Sequence, residues 1–508
     1  MEIVINKKNC GKMIYLAVAA FLLITFASRS SFLYPYNDWD DANSYFSMGK
    51  ALFNGKVLYK DIYDQKGGYL YLFYGLAYLI SHTTFRGVYI LEILLAIADL
   101  FLILQILKLY TKDSTALVLT PLPLAAVFSS RSFYWGGSAE EIFFPLLLLG
   151  LYLFLQYFKY YPERQMKRSS LFVTGLMAGI VANIKYTSLG FFFAWMMWIA
   201  LAILIEKGLA ESLKACGIFL SGMVIPFFPW IIYFATHDAL YYWYWAYVLN
   251  NVSVYSNLNG EGPGLWERVY SLIKLLYWAI LSNRNYFIFL IPGIFFTFLG
   301  KGKKLIQRFS VPILFFFLFL GIYIGGVGLF YYALPLGIFT VLGFAMVGCC
   351  WDKFLSYRKE QKIITGHAVG CVLSILVGTA LIYYTSMNTD FMKVKKEDHF
   401  LYQFQTIVSQ EENPSLLNIG CLDAGLYTVC DIIPNCQWFQ TNGINLDIMH
   451  REQERYIREG LITFIIARDF YPAVIWEKYE LVAEVPYSWK DQSFTYYLFR
   501  KNEVNDTM

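Results

Sequence analysis

Apolar residues come in blocks of roughly 18–24 along most of this chain, long enough as helices to cross a hydrocarbon core of about 30 Å. Short polar connections separate the blocks until the pattern breaks near residue 390. The periodicity predicts about eleven membrane spans. They cover residues 13–31, 87–108, 114–130, 141–159, 170–186, 189–205, 214–235, 285–300, 309–326, 329–350 and 363–385. Two further apolar stretches, 69–80 and 269–280, are too short or too polar at their flanks for a span and read as interfacial or re-entrant helices.

Residues 391–508 have another character. Charge density rises, strand-like runs occur at 416–419, 461–467 and 495–500, and a polar helical stretch covers 447–459. A small α/β domain of roughly 110 residues is expected after a membrane domain over 1–390. Composition supports the division. Of 508 residues, 57% are hydrophobic and 15% charged, with a mean hydropathy of +0.46; soluble domains carry about 25% charged residues. The chain is therefore an all-α polytopic membrane protein with a small α/β tail. A net charge of +4 gives no reason to expect nucleic acid as a partner.

Charge placement predicts sidedness. Alternate connections are basic: Lys7, Lys8 and Lys12; Lys108 and Lys112; Arg164, Lys167 and Arg168; Lys207 and Lys214; Lys301, Lys303, Lys304 and Arg308; Lys353, Arg358, Lys359 and Lys362. The positive-inside rule makes that side cytoplasmic, with the N-terminus. The first span has no small-residue cleavage site after it and reads as uncleaved. Three long segments (32–86, 236–284 and everything after 385) then fall on the extracytoplasmic face of the cell membrane. Eight cysteines show no zinc spacing. Cys421, Cys430 and Cys436 cluster in the tail, where one disulfide would leave a third thiol over.

Polar residues retained by so apolar a chain carry the functional signal. The segment 32–86, a catalytic first outer loop in this reading, opens with Asn37-Asp38-Trp39-Asp40-Asp41 and continues to Asp61-Ile62-Tyr63-Asp64-Gln65-Lys66-Gly67-Gly68. Carboxylates are thereby held at a membrane surface, though turn signals at Asn-Gly and Gly-Gly also fit a solvated loop. A second cluster, Gly136-Gly137-Ser138-Ala139-Glu140-Glu141, opens a span on the same outer face. Ser138 is a good N-cap and acids in a first helical turn face the dipole favourably, so structure alone accounts for one of the two glutamates. Lys185 ends an apolar helix, where it either snorkels to the headgroups or meets a phosphate.

The runs Asp41-x-x-x-Tyr45-x-x-x-Gly49-Lys50, Asn54-Gly55-Lys56-Val57-x-Tyr59-x-Asp61 and Asp64-x-Lys66-Gly67 resemble the first outer loop of bacterial GT-C glycosyltransferases, relatives of the protein mannosyltransferases and the aminoarabinose transferase. The Gly-Gly-Ser-Ala-Glu-Glu turn resembles their second acidic motif, and Tyr331-Tyr332-x-x-Pro335 resembles a late-span motif. Two positions depart: Gly68 stands where family members often have Pro, and Phe330 where they often have His.

The resemblance implies an inverting transferase. It would move a sugar from a polyprenyl-phosphate donor to an envelope glycan, glycolipid or protein acceptor. Asp41 is the expected general base, with Asp40 second. Asp61, Asp64, Glu140 and Glu141 would orient hydroxyls, while Lys66 and Lys185 would hold the phosphate and Tyr331 would line the site. No cofactor is required; paired acids would accept a divalent metal, since hard cations favour oxygen ligands, but nothing in the spacing demands one. No Walker motif, HExxH pair or nucleophile elbow is present. Two rivals remain. A glycolipid transporter or flippase should show intramembrane charges and a repeat; an oligosaccharide polymerase or ligase should show outer-loop Arg or His clusters.

Overall fold

A computed structural model describes residues 7–254, 264–299, 302–357, 364–444, 446–489 and 492–502. The chain divides into two compact units. One holds residues 1–31, 89–228 and 263–389; the other holds 32–88, 229–262 and 390–508. Two of the sequence-predicted outer segments therefore fold largely with the tail.

The first unit is a set of apolar helices. Across both units, six described helices are long and apolar enough to cross a membrane: Cys10–Ala27, Arg86–Lys108, Tyr186–Lys207, Leu209–Thr236, Phe330–Tyr357 and His367–Thr385. The 23 residues of Arg86–Lys108 span about 34 Å at about 1.5 Å per residue. A seventh crossing arises if Leu265–Ser282 and Arg284–Phe298, bent by 118° at their junction, count as one. Four other expected spans occur as shorter apolar helices: Asp113–Phe128, Phe144–Lys159, Arg168–Ala182 and Ser310–Tyr323. Pro121 marks a break within the first of these, between Asp113–Leu119 and Pro121–Phe128, because proline lacks the N–H that an unbroken helix uses. Each of the eleven expected segments thus overlies an apolar helix, and the protein is a multi-pass membrane protein.

The second unit is built round a four-stranded sheet and two helices of segment 32–86. Strands β1 (Leu416–Ile419), β2 (Phe464–Arg468), β3 (Tyr479–Trp489) and β4 (Gln492–Lys501) are ordered β1-β2-β4-β3. β1 and β2 are parallel; β4 is antiparallel to both its neighbours. All of β1 and the first four residues of β2 are buried, as strands covered on both faces must be. Helix Asp447–Glu459 buries Met449, Gln453, Tyr456 and Ile457 on one stripe, the i, i+4, i+7, i+8 spacing of an amphipathic helix. Its other face is laced by Arg455 with Glu452 and Glu459. Cys421, Cys430 and Cys436 are all free thiols, so the disulfide considered from sequence is not formed.

Within segment 32–86, Asp40–Phe53 packs on Gly68–Ile80. Gly49 makes the close approach: a Cβ there would sit 2.7 Å from the Tyr71 carbonyl and closer still to the Gly75 nitrogen. Gly68 has an equally local reason. The Trp230 indole lies against its bare Cα, and a Cβ would fall 2.6–2.7 Å from three ring carbons. The departure from Pro at this position accompanies that tryptophan.

Candidate active site

The predicted site residues fall into one cluster in each unit. In the sheet-containing unit, Asp40 and Asp41 begin helix Asp40–Phe53, where the positive end of the helix dipole favours negative charge. The helix carries a buried polar face, and three residues on it bond to the tail. Ser44 Oγ accepts from Gln440 Nε2 at 2.7 Å. Ser47 Oγ donates to Asp423 Oδ2 at 2.5 Å. Lys50, fully buried, donates to the Tyr427 carbonyl and to Asp431 Oδ1, both at 2.9 Å. Positions 40, 44 and 47 follow the i, i+4, i+7 spacing of one helix face, and Asp40 continues the pattern: Arg468 Nη1, at the end of β2, lies 3.2 Å from its Oδ2.

Asp41 occupies the adjacent stripe with Tyr45, whose hydroxyl donates to Asp41 Oδ1 at 3.3 Å. Neighbours therefore have unequal settings, one tied to the sheet and one turned aside. Burial pushes the Asp40 carboxyl above its ordinary range; Arg468 opposes that rise and the Asp41 charge adds to it.

Asp64 is buried. Its Oδ2 accepts from the Tyr71 hydroxyl at 2.8 Å and its Oδ1 from Asn442 Nδ2 at 3.0 Å. Burial raises this carboxyl too, with the Lys66 ammonium acting against the rise and Asp41 adding to it. Lys66 is half-buried, its amide donating to the Tyr71 hydroxyl at 2.8 Å and its carbonyl accepting from Tyr59. Asp61 serves the loop itself, since its Oδ2 accepts from the Val57 amide at 2.7 Å and closes the turn 57–61. Asp423, which as a tail residue gave only a weak hint of acceptor recognition in the sequence, is wholly buried and pushed by burial up to about 6.

In the helical unit, Ser138 caps the turn as expected, its Oγ accepting from the Glu141 amide at 3.0 Å. Glu141 Oε2 in turn accepts from the Gly137 amide at 2.8 Å. Glu140 is ion-paired with Lys185, and both are buried. The Lys185 ammonium lies over two rings, 3.8 Å from the Tyr332 centroid and 5.0 Å from that of Tyr331. Glu140, Lys185 and Tyr331 are thus brought together. Glu140 Oε2, Glu141 Oε1, Tyr323 Oη and Ser188 Oγ are buried without a hydrogen-bond partner among the described residues. Tyr323 is within electrostatic reach of Glu140. Phe330, at the second departure, is covered by the Arg131 guanidinium at 3.9 Å and lies beside the stacked Tyr134.

Two more carboxyls belong to this neighbourhood. Glu92 accepts twice from Ser28 Oγ, at 2.9 and 2.8 Å, and Asp99 is buried with both oxygens unpartnered among the described residues. Both feel the charge of Glu141. Their signal was in the sequence, as two acids seven positions apart inside an otherwise apolar span. Among the described residues, no group of three or more His, Cys, Asp or Glu side chains is placed to hold a metal ion.

No family model matches this sequence, and no curated protein sequence does. Solved structures do match in fold. ArnT from Cupriavidus metallidurans bound to undecaprenyl phosphate aligns with a TM-score of 0.63 at 10% identity, over 97% of this chain and 98% of that one. The same protein in its apo state gives 0.61. The mycobacterial arabinofuranosyltransferase AftD gives 0.51 at 12% identity, over 96% of this chain and 40% of that one. The fold is therefore GT-C-like, as the motif resemblance implied.

Proposed function

We propose that the protein transfers a sugar from a polyprenyl-phosphate carrier to an envelope acceptor on the extracytoplasmic face, with Asp41 as general base. The ArnT structure that shares this fold holds undecaprenyl phosphate, which supports a lipid phosphate as the donor's carrier. One observation carries the assignment of the base: Asp41 stands on the helix stripe beside the polar seam, while Asp40 is tied to Arg468 within it.

In this reading Asp41 takes the acceptor hydroxyl's proton as its oxygen attacks the anomeric carbon, on the side opposite the departing polyprenyl phosphate. Lys66 and Lys185 offset the charge that grows on the leaving phosphate. Asp64, Glu140 and Glu141 receive hydrogen bonds from sugar or acceptor hydroxyls. The unpartnered buried atoms of Glu140, Glu141, Tyr323 and Ser188 offer both donors and acceptors to such a polyol. A common reaction centre requires Asp41 and Glu140 to share one headgroup layer, and impermeant labelling of cysteines placed at the two positions tests it. Incubating membranes with labelled polyprenyl-phosphate sugars and identifying the labelled product tests the reaction itself. Transfer to an envelope component is expected, and its absence with every donor offered would overturn the reading.

A second reading draws on Glu92 and Asp99. Acids inside a spanning helix mark ion or substrate pathways in transporters. A lipid-linked sugar crossing the bilayer of reconstituted vesicles in a proton-gradient-dependent way, and losing that dependence in D99N, would favour it.

A further inference from the structure

Arg468 lies 428 residues from Asp40 in sequence, and no motif draws attention to it. Its position is closely determined. It ends β2 opposite Tyr496 of β4. The next residue, Asp469, takes a positive φ of 60°, and its amide donates to the Thr495 carbonyl at 2.9 Å while its Oδ1 accepts from the Thr495 amide at 2.7 Å. The guanidinium itself rests 4.8 Å from the Phe494 ring centroid. Strand, turn and ring together fix the direction in which the cation points.

The helix on the other side of the contact is fixed as firmly. Ser44, Ser47 and Lys50 set its rotation about its own axis through bonds to Gln440, Asp423, Tyr427 and Asp431. That rotation brings Asp40, and not Asp41, to Arg468. The pair is largely buried, its side chains 22% and 29% exposed, and the desolvation of a buried pair offsets much of its attraction, so the elaborate support of this one calls for another account.

Two carboxylates on adjacent residues at a helix start repel each other, and an unneutralised pair tends to share one proton. We propose that Arg468 is a positioning residue for the acid pair: it turns Asp40 toward the sheet and offsets its charge, leaving Asp41 alone to receive the acceptor's proton. The inference rests on the transferase reading for its purpose, but the pairing can be tested without it.

The test uses the full chain in lipid nanodiscs, with pH-difference infrared spectroscopy of protonated carboxyl groups. The signal of interest is the part that D41N removes. In R468Q the upper step of the pair is expected to move up by about one pH unit, since an uncompensated like charge disfavours ionisation. R468K should move it less. The double variant R468Q/D40N, with both charges gone, should return the D41N-sensitive step to the wild-type position. If R468Q does not accumulate in folded form, folding restored by adding D40N also supports the pairing. A wild-type titration in R468Q, or a double variant still displaced by about one unit, would overturn the proposal. Failure of every polyprenyl-phosphate sugar to serve as donor, with the R468Q shift intact, would remove the transferase reading and leave the pairing standing.

Discussion

Two turns in this protein look alike as sequence: each places two adjacent acids at the start of a helix. They are built differently. At Asp40–Asp41 one acid is paired with Arg468 and the other lies on the neighbouring stripe with Tyr45, both acids only partly buried. At Glu140–Glu141 both acids are enclosed, one paired with a buried lysine and one bonded to the Gly137 amide. The difference teaches that paired acids signal a role only through their neighbours. A partly buried acid can exchange a proton with a visiting hydroxyl, whereas a fully buried one is suited to holding charge or a hydrogen bond in place.

The sharpest way to break this comparison is D41N. Transfer from the labelled lipid donor should fall about 10²–10⁴-fold, the usual contribution of a general base, with folding retained; E141Q should lose less. Transfer by D41N at the wild-type rate would remove the distinction.

Next comes stability. K185A strands the Glu140 carboxylate in a buried site, and losing one partner of a buried pair typically costs about 3–5 kcal/mol. The thermal midpoint in detergent should therefore drop far more for K185A than for R468A, and adding E140Q to K185A should recover much of the loss.

G68A is smaller in effect. Its methyl group would meet the Trp230 indole, and overpacking of that kind typically costs about 1–3 kcal/mol. Pairing G68A with W230L should relieve most of it, as thermal unfolding would show.

The smallest effect concerns Asp423. Burial lifts its carboxyl from 3.8 to about 6, so between those values the folded state holds a proton that the unfolded chain has released. Its contribution to stability is therefore fully present at the acidic end and declines as pH rises toward 6. The thermal midpoint of wild type relative to D423N should fall across that window; a constant difference would discount the burial effect.

Much of the fold was legible because apolar length is a strong signal. Every expected span overlies an apolar helix, and helix 447–459 and strand 416–419 have the expected bounds. Strand β3 was missed because Glu480, Glu484 and Pro486 interrupt its apolar pattern, and the sheet order explains why they are tolerated: β3 is an edge strand. Of the candidate site, Asp41, Asp64, Glu140, Lys185 and Tyr331 were readable from local motifs. Glu92 and Asp99 were visible but were read as part of an apolar run. Arg468 was not legible, because its partner Asp40 lies 428 residues away and nothing local marks it; Asp423 gave only a weak hint as a tail residue, its partner Ser47 lying 376 residues away.

The seam along helix Asp40–Phe53 also orders events in time. Ser47 emerges from the ribosome 376 residues before its partner Asp423. At about 5–20 residues per second, synthesis of that stretch takes on the order of tens of seconds. Throughout that interval the acid-bearing helix lacks the partners that fix its rotation. The seam therefore stays open until the last quarter of translation is under way, and a polypeptide stopped short of Arg468 would leave Asp40 without its cation.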